Sequence, residues 1–86
     1  MYVILTYDIN KKRVSKALKI CRKYLSHRQR SVFDGIITGA KLDRLKSELK
    51  ILIDPEIDSV HIYEFDSLKF SRKEEIGLTM TDDNIV

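Results

Sequence analysis

The residue with the clearest chemical potential is Asp8, the only acidic residue in the first 33 positions. It follows the apolar run Tyr2–Tyr7 and precedes nine lysines and arginines between Lys11 and Arg30. Mg²⁺ is usually held by one or two carboxylates together with substrate phosphates, so a carboxylate between a buried strand and a cationic surface suits that ion. The pattern predicts a nucleic-acid protein in which Asp8 is the catalytic residue and the Mg²⁺ ligand.

One aspartate per chain is too little for a dedicated metal cage. A two-fold dimer that brings both copies of Asp8 near its axis supplies two carboxylates to one ion. Such an ion polarises a phosphoryl oxygen or lowers the pKa of a bound water. The alternative is structural, because an aspartate before a helix commonly caps that helix or pairs with a nearby lysine.

The charge distribution is the second signal. Residues 11–30 contain nine cations and no anions, whereas the other 66 residues contain seven cations and 13 anions. Solvated surfaces usually mix both signs, so the block favours a polyanionic partner, RNA or double-stranded DNA. No aromatic residue interrupts the basic face, which favours backbone contacts over base stacking. The candidate nucleic-acid-binding residues are Lys11, Lys12, Arg13, Lys16, Arg28, Arg30 and Ser31.

Several residues have two interpretations each. Arg13, at the edge of the apolar stripe, assists at the Asp8 site or only covers apolar surface. Ser31 binds a phosphate or occupies a turn. Tyr7 and Phe33 line the site or, as general burial tendencies favour, belong to the core. His27 is a general base near neutral pH or a surface histidine at a helix end.

Composition narrows the class of protein. The chain has 86 residues, 43% hydrophobic and 34% charged, which indicates one folded domain without a membrane span. Its single cysteine, Cys21, cannot form an intramolecular disulfide, which favours a reducing, cytoplasmic setting. No Walker loop, dinucleotide-binding loop or nucleophile elbow is present.

The periodicity of the sequence predicts the elements that position these residues. Between His27 and Thr38 the pattern fits one kinked strand, or a short and a longer strand joined by a tight turn near residues 30–31. The other predicted elements are a strand at Tyr2–Ile9, a helix at Lys11–Ser26, a helix at Lys41–Ile53 and strands at Ser59–Phe65 and Lys73–Met80.

With the two-strand interpretation, the order is βαββαβ plus a C-terminal strand. We therefore predict an α+β, ferredoxin-like domain over residues 1–80 and a flexible tail over 81–86. Two helices on one sheet face leave the other face bare, yet the first strand is apolar on both sides. A second copy of the chain is the expected cover, giving a homodimer in which residues 73–80 join the partner's sheet.

Three segments together resemble a known family. They are Tyr2–Ile9 followed by the basic helix, Gln29–Gly35, and Asp58–Tyr63. The chain resembles CRISPR-associated protein two over nearly its whole length. The family often has an arginine two residues before the glutamine, where this chain has His27 with Arg28 beside it. Asp34 stands where glutamate is common.

The resemblance implies a homodimer with an exchanged C-terminal strand and a divalent metal at Asp8. It implies a metal-dependent endonuclease that acts on RNA or DNA in antiviral defence and spacer acquisition, with a CRISPR integrase subunit as partner. It leaves open a non-catalytic scaffold that holds duplex DNA in the spacer-integration complex. The related toxin-type ribonucleases share the fold.

Overall fold

A computed structural model describes residues 1–65 of the chain. The elements are β1 (Tyr2–Asp8), α1 (Val14–Arg22), β2 (Ser26–Gln29), β3 (Val32–Ile36), α2 (Gly39–Leu52) and β4 (Ser59–Phe65). The strand expected at residues 73–80 and the tail at 81–86 lie outside the described residues. Within residues 1–65, no helix is long and apolar enough to span a bilayer.

The four strands form one sheet in the order β2-β3-β1-β4. All three neighbouring pairs are antiparallel, with Thr6 opposite Val32 on one side and His61 on the other. This is the ferredoxin-like βαββαβ arrangement, so the predicted α+β fold is confirmed. The segment 27–38 contains the short and longer strands of the second interpretation, joined at residues 30 and 31.

Strand β1 forms the centre of the sheet because its side chains suit burial. Val3, Leu5 and Tyr7 are buried on the face that both helices cover. Ile4 and Thr6, which alternate with them, are half-buried on the other face. The helix-covered core comprises Val3, Leu5, Tyr7, Ile9, Ala17, Cys21, Leu25, Phe33, Ile37, Leu42, Leu45 and Leu49.

Helix α1 is shorter at both ends than the predicted 11–26. At its start, residues 11–13 form a turn in which Asn10 O accepts a hydrogen bond from the backbone N–H of Arg13 at 2.8 Å. At its end, Lys23 N–H donates to Ile20 O at 3.1 Å, which tightens the last turn. Ser26 then leaves the helix because it pairs with Asp34 in the β2–β3 ladder.

Helix α2 begins at Gly39, two residues before the predicted start, and ends at Leu52. Thr38 caps it, since its hydroxyl oxygen accepts a hydrogen bond from the Lys41 N–H at 3.2 Å. The sheet has one irregularity within residues 1–65, in β2, where the pairing shifts between His27 and Gln29.

Candidate metal and nucleic-acid site at the end of the first strand

Asp8 is the last residue of β1 and is exposed. Its register partner on β4 is Ser59, and the alternation of β1 places it on the helix-free face with Ile4 and Thr6. Within residues 1–65 its carboxylate accepts no hydrogen bond and forms no ion pair. Helix α1 has no side-chain cap, so neither structural alternative for Asp8 is observed in this part of the chain.

The turn after Asp8 presents two lysines. Asn10 organises this turn, because its side-chain oxygen accepts a hydrogen bond from the Lys12 N–H at 3.0 Å. Its backbone oxygen accepts from Val14 N–H at 3.1 Å, at the start of α1. Lys11 and Lys12 are exposed, and Lys16 is exposed on the first turn of α1. These three cations therefore lie on the surface that follows Asp8 along the chain.

The β2–β3 turn reaches the same strand end from the other side. Ser31 O accepts a hydrogen bond from the Tyr7 N–H at 3.2 Å, which places Arg30 and Ser31 beside the residue that precedes Asp8. Arg30 is exposed and Ser31 is half-buried. The fold thus brings two separate segments of the basic block, the turns at 10–13 and 30–31, to the same end of β1.

His27 lies in β2, not at the end of a helix. Its ring stacks on Phe33 with the ring centroids 4.7 Å apart. Nε2 lies 3.0 Å from Arg30 O, and Nδ1 lies 3.4 Å from Arg22 Nη2. Through these contacts His27 supports the β2–β3 turn.

Arg28 lies away from the Asp8 site. Its Nε donates to Asp34 Oδ1 at 2.5 Å, and the Tyr2 hydroxyl donates to Asp34 Oδ2 at 2.6 Å. Burial raises the pKa of Asp34, but the hydrogen bonds from Tyr2 and Arg28 outweigh it and leave that pKa below its ordinary value. Asp34 pairs with Ile4, so this group is about 13 Å along β1 from Asp8.

Tyr7 and Phe33 lie on the opposite face of the sheet from Asp8. Phe33 is fully buried, Tyr7 is 7% exposed, and their ring centroids are 5.6 Å apart. Burial also raises the pKa of the Tyr7 hydroxyl. The structure therefore places both residues in the core, where they support the end of β1 without lining the exposed surface around Asp8.

Arg13 does not point to the exposed surface that the sequence suggested for it. Its Nε donates to Asp58 Oδ2 at 2.7 Å and its Nη2 donates to Asp58 Oδ1 at 3.2 Å. The Asp58 side chain is fully buried, and that of Arg13 is 21% exposed. The guanidinium is therefore held inside the fold by a carboxylate 45 positions away in the sequence.

Asp58 is the residue near the site that sequence reasoning missed. The hydrogen bond from Arg13 holds the pKa of its carboxyl well below the ordinary value, against the effect of desolvation, and backbone N–H groups add to this. The sequence held a usable signal. Because β1 and β4 pair antiparallel, the end of β1 meets the start of β4. The segment that follows β1 carries Arg13, and the loop that precedes β4 carries its partner Asp58.

The described residues offer a magnesium ion one carboxylate at Asp8, and a second chain would supply another. Within residues 1–65, no group of three or more histidine, cysteine, aspartate or glutamate side chains is arranged to hold a metal. Among residues 1–65 the exposed Asp8 carboxylate has no protein partner, which matches the ligand that Mg²⁺ takes when waters and phosphate oxygens complete its shell. In a dimer, Asp8 of each copy would be a fitting ligand.

The topology and the exposed strand-end aspartate between two basic turns define a small ferredoxin-like domain with a candidate phosphodiester site. Residues 1–73 match the family model described as CRISPR associated protein Cas2. The chain therefore belongs to the Cas2 family, as the sequence resemblance predicted.

Relatives and solved structures agree with this assignment. The chain is 45% identical over 86 residues to the CRISPR-associated endoribonuclease Cas2 of Thermotoga maritima, covering 100% of this chain and 99% of the relative. It is 45% identical over 78 residues to the protein of the same name from Dictyoglomus turgidum, covering 91% and 90%. The crystal structure of Streptococcus pyogenes Cas2 superposes with a TM-score of 0.73 at 32% identity, covering 84% of this chain and 94% of that one.

Proposed function

We propose that this chain is a metal-dependent endonuclease of a CRISPR system, with Asp8 as its metal ligand and catalytic residue. The observation that carries the proposal is the Asp8 carboxylate, exposed at a strand end and without a partner among residues 1–65. RNA is the favoured substrate, because relatives at 45% identity are named endoribonucleases.

The active form is a homodimer. The sheet face that the helices do not cover carries apolar side chains. Tyr2 and Ile4 on β1 are half-buried. Their register partners on the neighbouring strands, Ile36 and Tyr63, are 67% and 44% exposed. Such a face is normally covered, and a second copy covers it by two-fold symmetry. In that arrangement both copies of Asp8 belong to one shared surface.

The chain's own residues bind and orient the nucleic acid. Lys11, Lys12 and Arg30 lie on the two turns beside Asp8 and contact the phosphate backbone, which fixes the strand without reading its sequence. A bound Mg²⁺ would polarise the phosphoryl oxygen and lower the pKa of a water. The two copies of Asp8 would hold that ion, and the core residues behind them keep the strand ends rigid.

A second candidate function is a duplex-DNA scaffold for spacer integration, working with an integrase subunit in the cytoplasm. The exposed cations favour it: Lys11, Lys12, Lys16 and Arg30 form no ion pair within residues 1–65, so their charge is available to phosphates. This function requires the basic surface but not the Asp8 carboxylate.

Cleavage and binding of labelled RNA and duplex DNA, with Mg²⁺ or EDTA, discriminate between the two functions. If the chain is a nuclease that uses Asp8, Asp8→Asn should lower the cleavage rate at least about 100-fold and change the affinity for nucleic acid little. Asp43→Asn is the matched control, since Asp43 is an exposed aspartate on α2. Cleavage that persists in Asp8→Asn contradicts the proposal. Salt-sensitive duplex binding without any cleavage supports the scaffold.

Sedimentation or light scattering tests the dimer. Tyr63→Lys places a charge on the helix-free face at an exposed position, so it should yield folded monomer. Removal of residues from Ile76 onward should also favour monomer, because the sequence predicts that they join the partner's sheet. An unchanged dimer mass in both variants would show that the copies associate elsewhere.

A further inference from the structure

Asp58 makes four hydrogen bonds from a fully buried side chain. Its Oδ1 accepts from the Asn10 N–H at 2.9 Å and from Arg13 Nη2 at 3.2 Å. Its Oδ2 accepts from Arg13 Nε at 2.7 Å and from the Asp54 N–H at 2.9 Å. One carboxylate therefore ties the β1–α1 turn, the Arg13 side chain and the α2–β4 loop to the start of β4.

These bonds hold both ends of the turn that follows the candidate catalytic residue. Asn10 is two residues after Asp8, and Arg13 is the residue before α1. Lys11 and Lys12 lie between these two fixed points and are exposed. On β4, Asp58 directly precedes Ser59, the register partner of Asp8. The β1–β4 pairing fixes the backbone of Asp8, and Asp58 fixes the turn that carries the lysines relative to it.

We infer that Asp58 is a positioning residue for phosphodiester cleavage, which sets where the Asp8 carboxylate stands relative to the phosphate-binding turn. This inference rests on the proposed nuclease function. Asp58 does not touch substrate, because its side chain is fully buried. It acts through Asn10 and Arg13, and its charge remains compensated by the bidentate guanidinium and two backbone donors.

A displaced carboxylate and displaced lysines have different consequences. A metal-holding group must stand within a fraction of an ångström of its productive position, and an error of about 1 Å can cost about 100-fold in rate. Phosphate contacts from flexible lysines tolerate such a shift, because they act mainly through charge. Loss of the Asp58 contacts should therefore lower kcat much more than it raises KM.

The test compares the full-length wild type with Asp58→Asn in single-turnover and steady-state cleavage of labelled RNA with Mg²⁺. The amide group keeps the shape of the side chain but turns one acceptor into a donor that faces other donors. Glu64→Gln is the matched control, since Glu64 lies on β4, which Asp58 precedes, and makes an exposed ion pair of 3.1 Å with Lys46 on α2. If Asp58→Asn fails to fold, Arg13→Lys replaces it in the test, because lysine keeps the positive charge but cannot make the bidentate contact of the guanidinium.

All variants are compared at a temperature where circular dichroism shows them fully folded. We expect kcat to fall at least about tenfold, with KM changed less than about threefold, in Asp58→Asn or Arg13→Lys. Glu64→Gln should match the wild type. Equal kcat values in all four proteins, or a rise in KM alone, would overturn the inference.

A second measurement does not require cleavage. Amide hydrogen exchange should accelerate at residues 9–13 in Asp58→Asn and remain unchanged in the α2 core, because either orientation of the new amide removes one acceptor from Arg13. Unchanged exchange at these residues overturns the positioning role even in a protein with no nuclease activity. Accelerated exchange in a wild type that does not cleave RNA keeps the local role of Asp58 and rejects the proposed function instead.

Discussion

Two aspartates at adjoining strand ends differ in almost every physical respect. Asp8, at the end of β1, is exposed, and its side chain has no hydrogen-bond or ion-pair partner within residues 1–65. Asp58, just before β4, is fully buried and accepts four hydrogen bonds. Antiparallel pairing of β1 with β4 brings these two positions to the same end of the sheet.

The difference separates a carboxylate available for chemistry from one committed to structure. A buried carboxylate with all its lone pairs occupied cannot coordinate an ion without first losing protein donors. An exposed one is free to do so, but its position must be maintained by neighbouring groups. The site therefore requires both: substitution of Asp8 should lower activity alone, whereas substitution of Asp58 should lower activity and stability together.

The largest expected effect is on thermal stability. Asp58→Ala leaves Arg13 and two backbone N–H groups without an acceptor, and should lower the midpoint of thermal unfolding by at least about 10 °C. Asp8→Ala should change it by no more than about 2 °C, since it removes no contact seen in residues 1–65. Differential scanning calorimetry at one protein concentration measures both. Equal decreases in the unfolding midpoint would show that the two aspartates contribute equally to stability.

A smaller effect is expected from the two arginines that make ion pairs. Arg13→Lys removes a bidentate contact to the buried carboxylate of Asp58. Arg28→Lys changes a single exposed contact to Asp34. We expect a loss of about 5 °C or more for the first and less than about 2 °C for the second, by the same calorimetry. A larger loss for Arg28→Lys would mean that the Asp34 group, not the Asp58 group, holds this fold together.

Local patterns were enough to predict most of the fold. The alternation in β1 and the helical spacing of Leu42, Leu45 and Leu49 report burial directly, because those side chains face one common core. Asp8 was also visible from local sequence, as the isolated acid beside a basic block. Helix α1 was predicted too long at its C-terminal end, because Ser26 belongs to β2, where it pairs with Asp34, eight positions further along the chain.

The parts that escaped prediction depend on contacts between distant segments. From the sequence, Arg13 was a candidate to assist at the Asp8 site or to cover apolar surface. Its observed partner is Asp58, which lies 45 positions away in the sequence. The same is true of Arg30 and Ser31, whose closeness to Tyr7 follows from the β1–β3 register. Local charge patterns cannot distinguish an arginine that binds phosphate from one that holds a buried aspartate.

The smallest and most specific effect concerns pH. The pKa of Asp58 in the folded protein lies well below its value in the unfolded chain, about 3.9 for an unperturbed aspartate. Above about pH 5 the carboxylate is charged in both states, so its contribution to stability is complete. As the pH falls below about 5, the unfolded chain takes up a proton that the folded protein excludes, and the contribution diminishes.

The stability difference between wild type and Asp58→Asn should therefore be constant from pH 7 to about pH 5 and narrow below that, measured by chemical unfolding. The other charged groups near this carboxylate are Arg13, which stays protonated throughout, and the Asp54 side chain, which is present in both proteins. Glu64→Gln controls for general acid effects on β4. A difference that persists unchanged to pH 2 would show that Asp58 stabilises the fold through its shape and neutral hydrogen bonds, and that its ionised form is not what holds the turn beside Asp8.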